Sequence, residues 1–380
     1  MIWDICNVFA AMGRSKIDLY EWQRQNVNRL RLPRNSLWAT YATKVGTLPL
    51  TGFRLAHAVV KADFLISRNY LLPGLGFMLQ MDQILDFGST SNLRLHPGAR
   101  ANLADVTQSS TTGRVGQGLS LLFAERQGYD FVGHLASDPV VIALRSQPGL
   151  TQVADFLFED TDGDRMILES KSTFSLSDNE CSPVKTMLKT SLEEQVTPWM
   201  TVLTPTPAKG YAVYSCLRET GNPTDSAMMF VDPPGEKGDF QIELPGDWVR
   251  RRNYAAWLKV MGLRDAAARL ENPSQFFKDM PRARSTRLRV ARVSGREFAV
   301  LTSLDRSATF KNRRFAIGMD LAALQAVEAA IAGSNESLPA YEPLRVTELD
   351  SDVPLSILGD GSIFGLIDEA DIGSSSEAIL

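Results

Sequence analysis

Apolar and polar positions alternate from Gln152 to Glu159 and again from Arg165 to Thr173, and the five residues between them, Asp160-Thr161-Asp162-Gly163-Asp164, are dense in turn formers. This pattern predicts a β-hairpin. With the turn centred on Asp162, residues whose numbers sum to 324 face each other, which pairs Glu159 with Arg165, Leu157 with Ile167 and Asp155 with Glu169. Upstream, Thr111, Thr112 and Gly113 offer a start signal before Arg114–Gln127. There Val115, Leu119, Leu122, Phe123 and Arg126 trace a helix ended by Gly128, and Tyr129–Leu135 reads as a short strand. Downstream, Val184–Val196 reads as a helix with Leu188, Leu192 and Val196 on one stripe, and Gly210–Arg218 as a further strand.

The flanks differ from this centre. Apolar residues recur at three and four over Ile17–Leu32 and Leu55–Tyr70, predicting a mainly helical N-terminal region over 1–105. The mixed centre spans 106–230. After Asp232-Pro233-Pro234-Gly235, an α+β region runs over 231–335, and 336–380 is a Ser-, Gly- and acid-rich tail that the composition predicts to be partly flexible. The length of 380 residues fits two or three compact units.

The net charge of −4 predicts no bulk attraction to nucleic acid or anionic lipid. Locally the balance is uneven: Arg250 to Arg314 holds 17 basic and five acidic residues, whereas Phe315 to Leu380 holds twelve acids and one base. A basic region beside an acidic tail implies either a polyanion-binding face or its neutralisation by the tail. Arg284, Arg287, Arg289 and Arg292 are the candidate phosphate track: Arg287 and Arg289, at spacing two, share a strand face, and Arg250–Arg252 and Arg313–Arg314 would extend it. Read structurally, they are a solvated strand surface.

Cys6, Cys181 and Cys216 have no paired spacing, so neither a disulfide framework nor a cysteine zinc site is expected. His57, His96 and His134 follow no metal-ligand spacing. The N-terminal Met1-Ile2-Trp3-Asp4 has no basic run, and the longest uncharged apolar run, Leu71–Met81, contains Pro73 and two glycines, so a cytoplasmic protein without membrane span is expected.

Glu169-Ser170-Lys171 places an acid and a lysine on one strand face, and the hairpin register brings Asp155 opposite Glu169 there. Two adjacent carboxylates repel, which a divalent cation and an ammonium would offset. Mg²⁺ favours carboxylate and water oxygens and leaves room for phosphate oxygens. In phosphodiester hydrolysis such a cation polarises the phosphoryl oxygen, while the lysine orients or deprotonates the attacking water. Read structurally, the three residues are a charged cluster at a hairpin edge, yet like charges directly opposite are unfavourable without a cation. The Asp160–Asp164 run lacks the acid that a calcium loop needs at its twelfth position, where Lys171 stands, and reads as a turn.

These residues resemble the PD-(D/E)xK nuclease superfamily over about residues 114–218, in the order helix with Glu125, strand, strand with Asp155, strand with Glu169 and Lys171, helix, strand. Gln195-Val196-Thr197-Pro198-Trp199 is similar to the Gln-x-x-x-Tyr extension of the RecB-like branch, with Trp in place of Tyr; Ala154 stands where the motif's proline would be. The resemblance implies an α/β, restriction-endonuclease-like mixed sheet flanked by helices. It also implies a DNA nuclease using Mg²⁺ or Mn²⁺, with Asp155 and Glu169 as metal ligands, Lys171 as catalytic lysine, Glu125 as accessory ligand and Gln195 as a phosphate- or water-positioning group. Read structurally, Glu125 and Gln195 are helix surface residues. Without a helicase or methylase signature, the chain is expected to take its target from a protein partner or a second copy; a role in antiviral defence or restriction rests on the resemblance. The alternative is a non-catalytic nucleic-acid-binding or assembly subunit on the same fold.

Overall fold

The structure is a computed structural model that describes residues 13–27, 37–66, 81, 83–87, 91–174, 181–232, 242–272, 285–302, 312–332, 338, 341–342 and 354–379. It is a mixed α/β protein built around a seven-stranded sheet. The strands are β1 (Arg14–Trp22), β2 (Ala42–Thr51), β3 (Phe131–His134), β4 (Phe156–Glu159), β5 (Arg165–Thr173), β6 (Lys209–Cys216) and β7 (Ala227–Val231), in the order β2-β1-β7-β6-β5-β4-β3. β1 and β7 run parallel, as do β5 and β6, and the other neighbours are antiparallel.

The β4–β5 hairpin has the expected register, with Glu159 opposite Arg165, Leu157 opposite Ile167 and Phe156 opposite Leu168. The turn sets it: Asp160 Oδ1 accepts from the Asp162 and Asp164 amides at 2.9 and 2.8 Å, and Gly163 takes φ +89°, a conformation that favours glycine. β4 is shorter than the alternation suggests, and Asp155 stands just before its first residue.

The expected helix over Ile17–Leu32 is a correction. Residues 14–22 form β1 inside the sheet, with Ile17, Leu19 and Trp22 in the core; Arg24–Val27 is helical, and 28–32 lie outside the described residues. A strand covered on both faces loses clean alternation, so its apolar spacing mimics a helix. The Leu55–Tyr70 pattern gives a helix as far as Ile66, α1 (Gly52–Ile66), and 67–70 lie outside the described residues. Thus residues from the N-terminal 1–105 share one sheet with the hairpin.

Helix α2 (Asp105–Arg126) starts well before the Thr-Thr-Gly signal, because Thr111 and Thr112 are buried and packing carries the helix through them. It lies between α1 and β5 at two glycines. A Cβ on Gly118 would stand 2.4 Å from Val59, and one on Gly116 2.5 Å from Ser172. Beyond the short α3 (Pro139–Leu144), α4 (Cys181–Ser191) continues through a π turn (Leu192–Val196) into α5 (Thr197–Val202).

The C-terminal half adds α6 (Trp248–Val260), α7 (Arg264–Glu271), α8 (Leu321–Ala332) and a six-stranded sheet. Its strands are β8 (Ser285–Val293), β9 (Arg296–Thr302), β10 (Arg313–Asp320), β11 (Leu355–Ile357), β12 (Ser362–Asp368) and β13 (Ile372–Ile379), in the order β11-β12-β10-β9-β8-β13. The flexible tail is therefore corrected over 355–379, where Leu355, Ile357, Ile363 and Ile367 are buried together and outweigh the acidic composition.

Between the two sheets lies a buried polar network. Lys61 of α1 pairs with Asp360 at 2.8 Å, both almost wholly shielded from solvent. Asn253 of α6 donates to Asp360 at 2.7 Å, and its own carbonyl accepts the Val132 amide of edge strand β3 at 3.2 Å. Ser362 adds hydrogen bonds to Asp360 from its amide and hydroxyl. Burial pushes the Asp360 carboxyl up, and Lys61, Ser362 and Asn253 together outweigh it and hold the group below the usual carboxylate range. Removing one partner of such a pair leaves an uncompensated buried charge. Lys61→Met is expected to cost ~3–5 kcal/mol in urea denaturation, and adding Asp360→Leu to recover part of that loss; a single-variant loss below ~1 kcal/mol would contradict the pairing.

Candidate functional site

Successive residues of β5 point to opposite sides of the sheet. Ser170 and Ser172 face α2: Ser120 Oγ donates to Ser170 Oγ at 2.8 Å, and Ser172 Oγ donates to the Thr112 carbonyl at 2.7 Å. Ile167, Glu169 and Lys171 face the other side, covered by α4, the π turn and α5. There Ile167, Val196 and Met200 converge on Gly210, where a Cβ would stand 2.2 Å from Met200 Sδ.

On that second face Asp155 meets Glu169. The Asp155 amide donates to Glu169 Oε2 at 2.9 Å, the Ser170 amide donates to Asp155 Oδ2 at 3.1 Å, and Lys171 Nζ donates to Glu169 Oε1. Glu169 is buried, Asp155 partly so, and Lys171 keeps 31% of its side chain exposed. Burial pushes the Asp155 carboxyl up, against the Ser170 amide and the Lys171 charge. Glu169 is pushed up by burial and then by Asp155, with Lys171 opposing. Two carboxyls and one ammonium share a desolvated place that resists holding both carboxyls ionised. That donor set fits a hard divalent cation, which would favour the ionised form of both carboxyls.

Gln195 and Trp199 sit beside this cluster and are buried. Gln195 Nε2 donates to the Val153 carbonyl at 3.2 Å and Trp199 Nε1 to the Gln152 carbonyl at 2.7 Å. The Gln195–Trp199 spacing is visible in sequence; that both side chains grip the main chain ahead of Asp155 is not, because it depends on the π turn.

Glu125 lies elsewhere. It belongs to α2, on the opposite side of the sheet from Glu169, where Arg54 pairs with it at 2.8 Å and the Gly359 amide donates to it at 2.9 Å. Helix α2 binds the serine side of β5, so its glutamate does not join the carboxylate pair. Among the described residues no group of three or more His, Cys, Asp or Glu stands where it could hold a metal, and Asp155 with Glu169 is a group of two. His57 and His134 are buried, their rings pushed down to about 3 and about 4 by desolvation, and neither belongs to the cluster.

Of the arginine track, Arg284 lies outside the described residues. Arg287 and Arg289 are exposed on one face of β8, whereas Arg292, at odd spacing, points to the other and pairs with Glu297 at 2.7 Å. Glu377 of β13 stands in register with Arg287. Arg250 pairs with Glu159 at 2.7 Å, Arg251 with Asp247 at 2.6 Å and Arg313 with Asp368 at 2.9 Å; Arg314 pairs with Glu369. Much of the local basic excess is thus neutralised within the chain.

No known protein family, curated protein or solved structure matches this chain. Among the described residues no helix is long and apolar enough to cross a membrane.

A cation bound at Asp155 and Glu169 would stabilise the folded state by mass action. Mn²⁺ at a hundredfold excess over its dissociation constant is expected to add ~2.7 kcal/mol and to raise the thermal midpoint of the wild type but not of Glu169→Gln. Equal rises in both proteins would place the ion elsewhere.

Proposed function

We propose that this chain is a metal-dependent DNA nuclease of the PD-(D/E)xK, restriction-endonuclease-like superfamily. The observation that carries the reading is the meeting of Asp155, Glu169 and Lys171 on one desolvated face of the β4–β5 hairpin. The order of elements around it supports the same reading: α2, β3, β4, β5, α4, then β6 parallel to β5.

In this reading Asp155 and Glu169 hold Mg²⁺ or Mn²⁺. The bound cation supplies Lewis-acid polarisation of the scissile phosphoryl group and neutralises part of its charge. Glu169, buried and anchored by the Asp155 amide and Lys171, is the rigid half of the carboxylate pair; Asp155, more open, is the half nearer solvent. Lys171 can leave Glu169 to orient the attacking water and to balance charge developing on the phosphoryl oxygens. The water oxygen bonds to phosphorus as its proton passes to bulk solvent, the bond to the leaving nucleotide oxygen breaks, and that oxygen takes up a proton from solvent. Arg287 and Arg289 offer an exposed pair for the phosphate backbone. The reading extends to a cytoplasmic setting in defence or restriction, with a protein partner or a second copy choosing the target.

A specific observation favours a second reading, an assembly subunit that does not cleave: many arginines of the basic half are already paired within the chain. Cleavage of plasmid and linear DNA with Mn²⁺ separates the two. The nuclease reading expects EDTA to abolish cleavage and Lys171→Ala to lower it at least ~100-fold with DNA binding retained. Cleavage that is equal in Lys171→Ala would refute the assigned site, and binding without cleavage in the wild type would favour the subunit.

A further inference from the structure

We propose that Gln195 and Trp199 form a main-chain clamp that sets the position of Asp155 for cation binding, acting as positioning residues rather than as contacts to phosphate or water. The inference rests on the nuclease reading above for its chemistry and on the following geometry for its residues.

Asp155 stands outside the β4–β5 ladder, one residue before β4 begins. A ladder strand is fixed by its neighbours; the segment ahead of β4 needs other restraints. From β3 comes one, the Leu135 amide donating to the Asp155 carbonyl at 3.1 Å. On the helical side, Gln195 Nε2 takes the Val153 carbonyl at 3.2 Å and Trp199 Nε1 the Gln152 carbonyl at 2.7 Å. Ala154, between these carbonyls and Asp155, is fully buried. Two consecutive carbonyls leading directly to the carboxylate are therefore held by two side chains of one helical segment.

That segment is shaped for the purpose. Gln195 belongs to the π turn Leu192–Val196 and Trp199 to α5, and residues four apart on a helical surface stand on neighbouring turns. π turns inside helices mark functional sites more often than regular turns do. The Trp199 ring is fully buried, and Gln195 is buried too, so neither donor has water as an easy substitute for its carbonyl. Gln195 thus spends its amide N–H on the protein's own backbone. Both residues act on the cation site through Asp155, in the way that outer partners orient the ligands of metal centres.

Removing an outer partner of this kind lowers metal affinity by ~10–100-fold in metal sites generally. The test titrates Mn²⁺ into the full chain by calorimetry, for the wild type, Trp199→Phe and Gln195→Met. Each substitution removes the N–H donor and keeps most of the side-chain volume. Far-UV circular dichroism reports whether each variant folds; if one does not, the other carries the test.

The clamp expects a dissociation constant for Mn²⁺ raised ~10-fold or more in each folded variant, and a cleavage rate that returns towards the wild-type value at saturating Mn²⁺, so that half-saturation moves and kcat does not. Glu194→Ala, which removes the surface bond from Gln152 Nε2 at 2.7 Å but neither carbonyl bond, is expected to bind Mn²⁺ like the wild type. Wild-type affinity in both folded variants overturns the clamp and leaves the nuclease reading intact. So does an equal loss in Glu194→Ala, which would show a general loosening of the segment. Failure of the wild type itself to bind Mn²⁺ overturns both.

Discussion

Two carboxylates drawn together away from water repel each other and lose hydration, and this chain spends its best-defined local structure on imposing that arrangement. The Asp160 carboxylate closes the turn by accepting two amides, the turn fixes the hairpin register, and the register leaves Asp155 against Glu169. Strand alternation then adds Lys171 on the same face and gives Ser170 and Ser172 to the other. Each step is cheap in itself. The result is a crowded carboxyl pair beside a lysine that nothing in the hydrophobic core requires, and perturbed titratable groups of this kind mark a candidate functional site.

The surroundings hold this arrangement on both sides of the sheet. Gly116 and Gly118 let α2 lie close against β5 and α1, so the serine face is tightly backed. On the acidic face, α4 runs through its π turn into α5, and Gly210 makes room for Met200 and Val196. Farther away, the Lys61–Asp360 pair and Asn253 join α1, α6, edge strand β3 and the turn between β11 and β12. Such a buried pair contributes little net stability compared with an apolar substitute, but it penalises any arrangement that separates its members. Much of the arginine excess and some of the tail's acids meet in the same spirit, as Arg313 with Asp368 and Arg314 with Glu369.

The turn and the hairpin register from Glu159–Arg165 to Phe156–Leu168 were legible in the sequence, because a turn of Asp and Gly between two alternating runs specifies the register by geometry; that the ladder stops at Phe156, so that Asp155 meets Glu169 from just outside it, was not. Elements that depend on distant partners were not. β1 reads as a helix because burial on both faces removes the alternation that marks a strand, and β12 and β13 hide in an acidic composition because their partners β10 and β8 lie far back in the chain. Glu125 shows a subtler limit. Its place near the end of an amphipathic helix is visible, but which side of the sheet that helix covers is settled by Gly116 and Ser120 against the β5 serines, a tertiary contact with no local signature. Arg292 parts from Arg287 and Arg289 for a simple parity reason, since it sits at an odd spacing from Arg289.

The central claim is that Asp155 and Glu169 form a repelling pair that a divalent cation relieves. Carboxyl ¹³C NMR on protein labelled at Asp and Glu, with Asp155→Asn and Glu169→Gln used for assignment, follows both groups directly as pH is varied. The account predicts that both carboxyls titrate above the ordinary range in metal-free protein and that Mg²⁺ brings both titrations down together. Ordinary titration of both groups, unchanged by Mg²⁺, would contradict it.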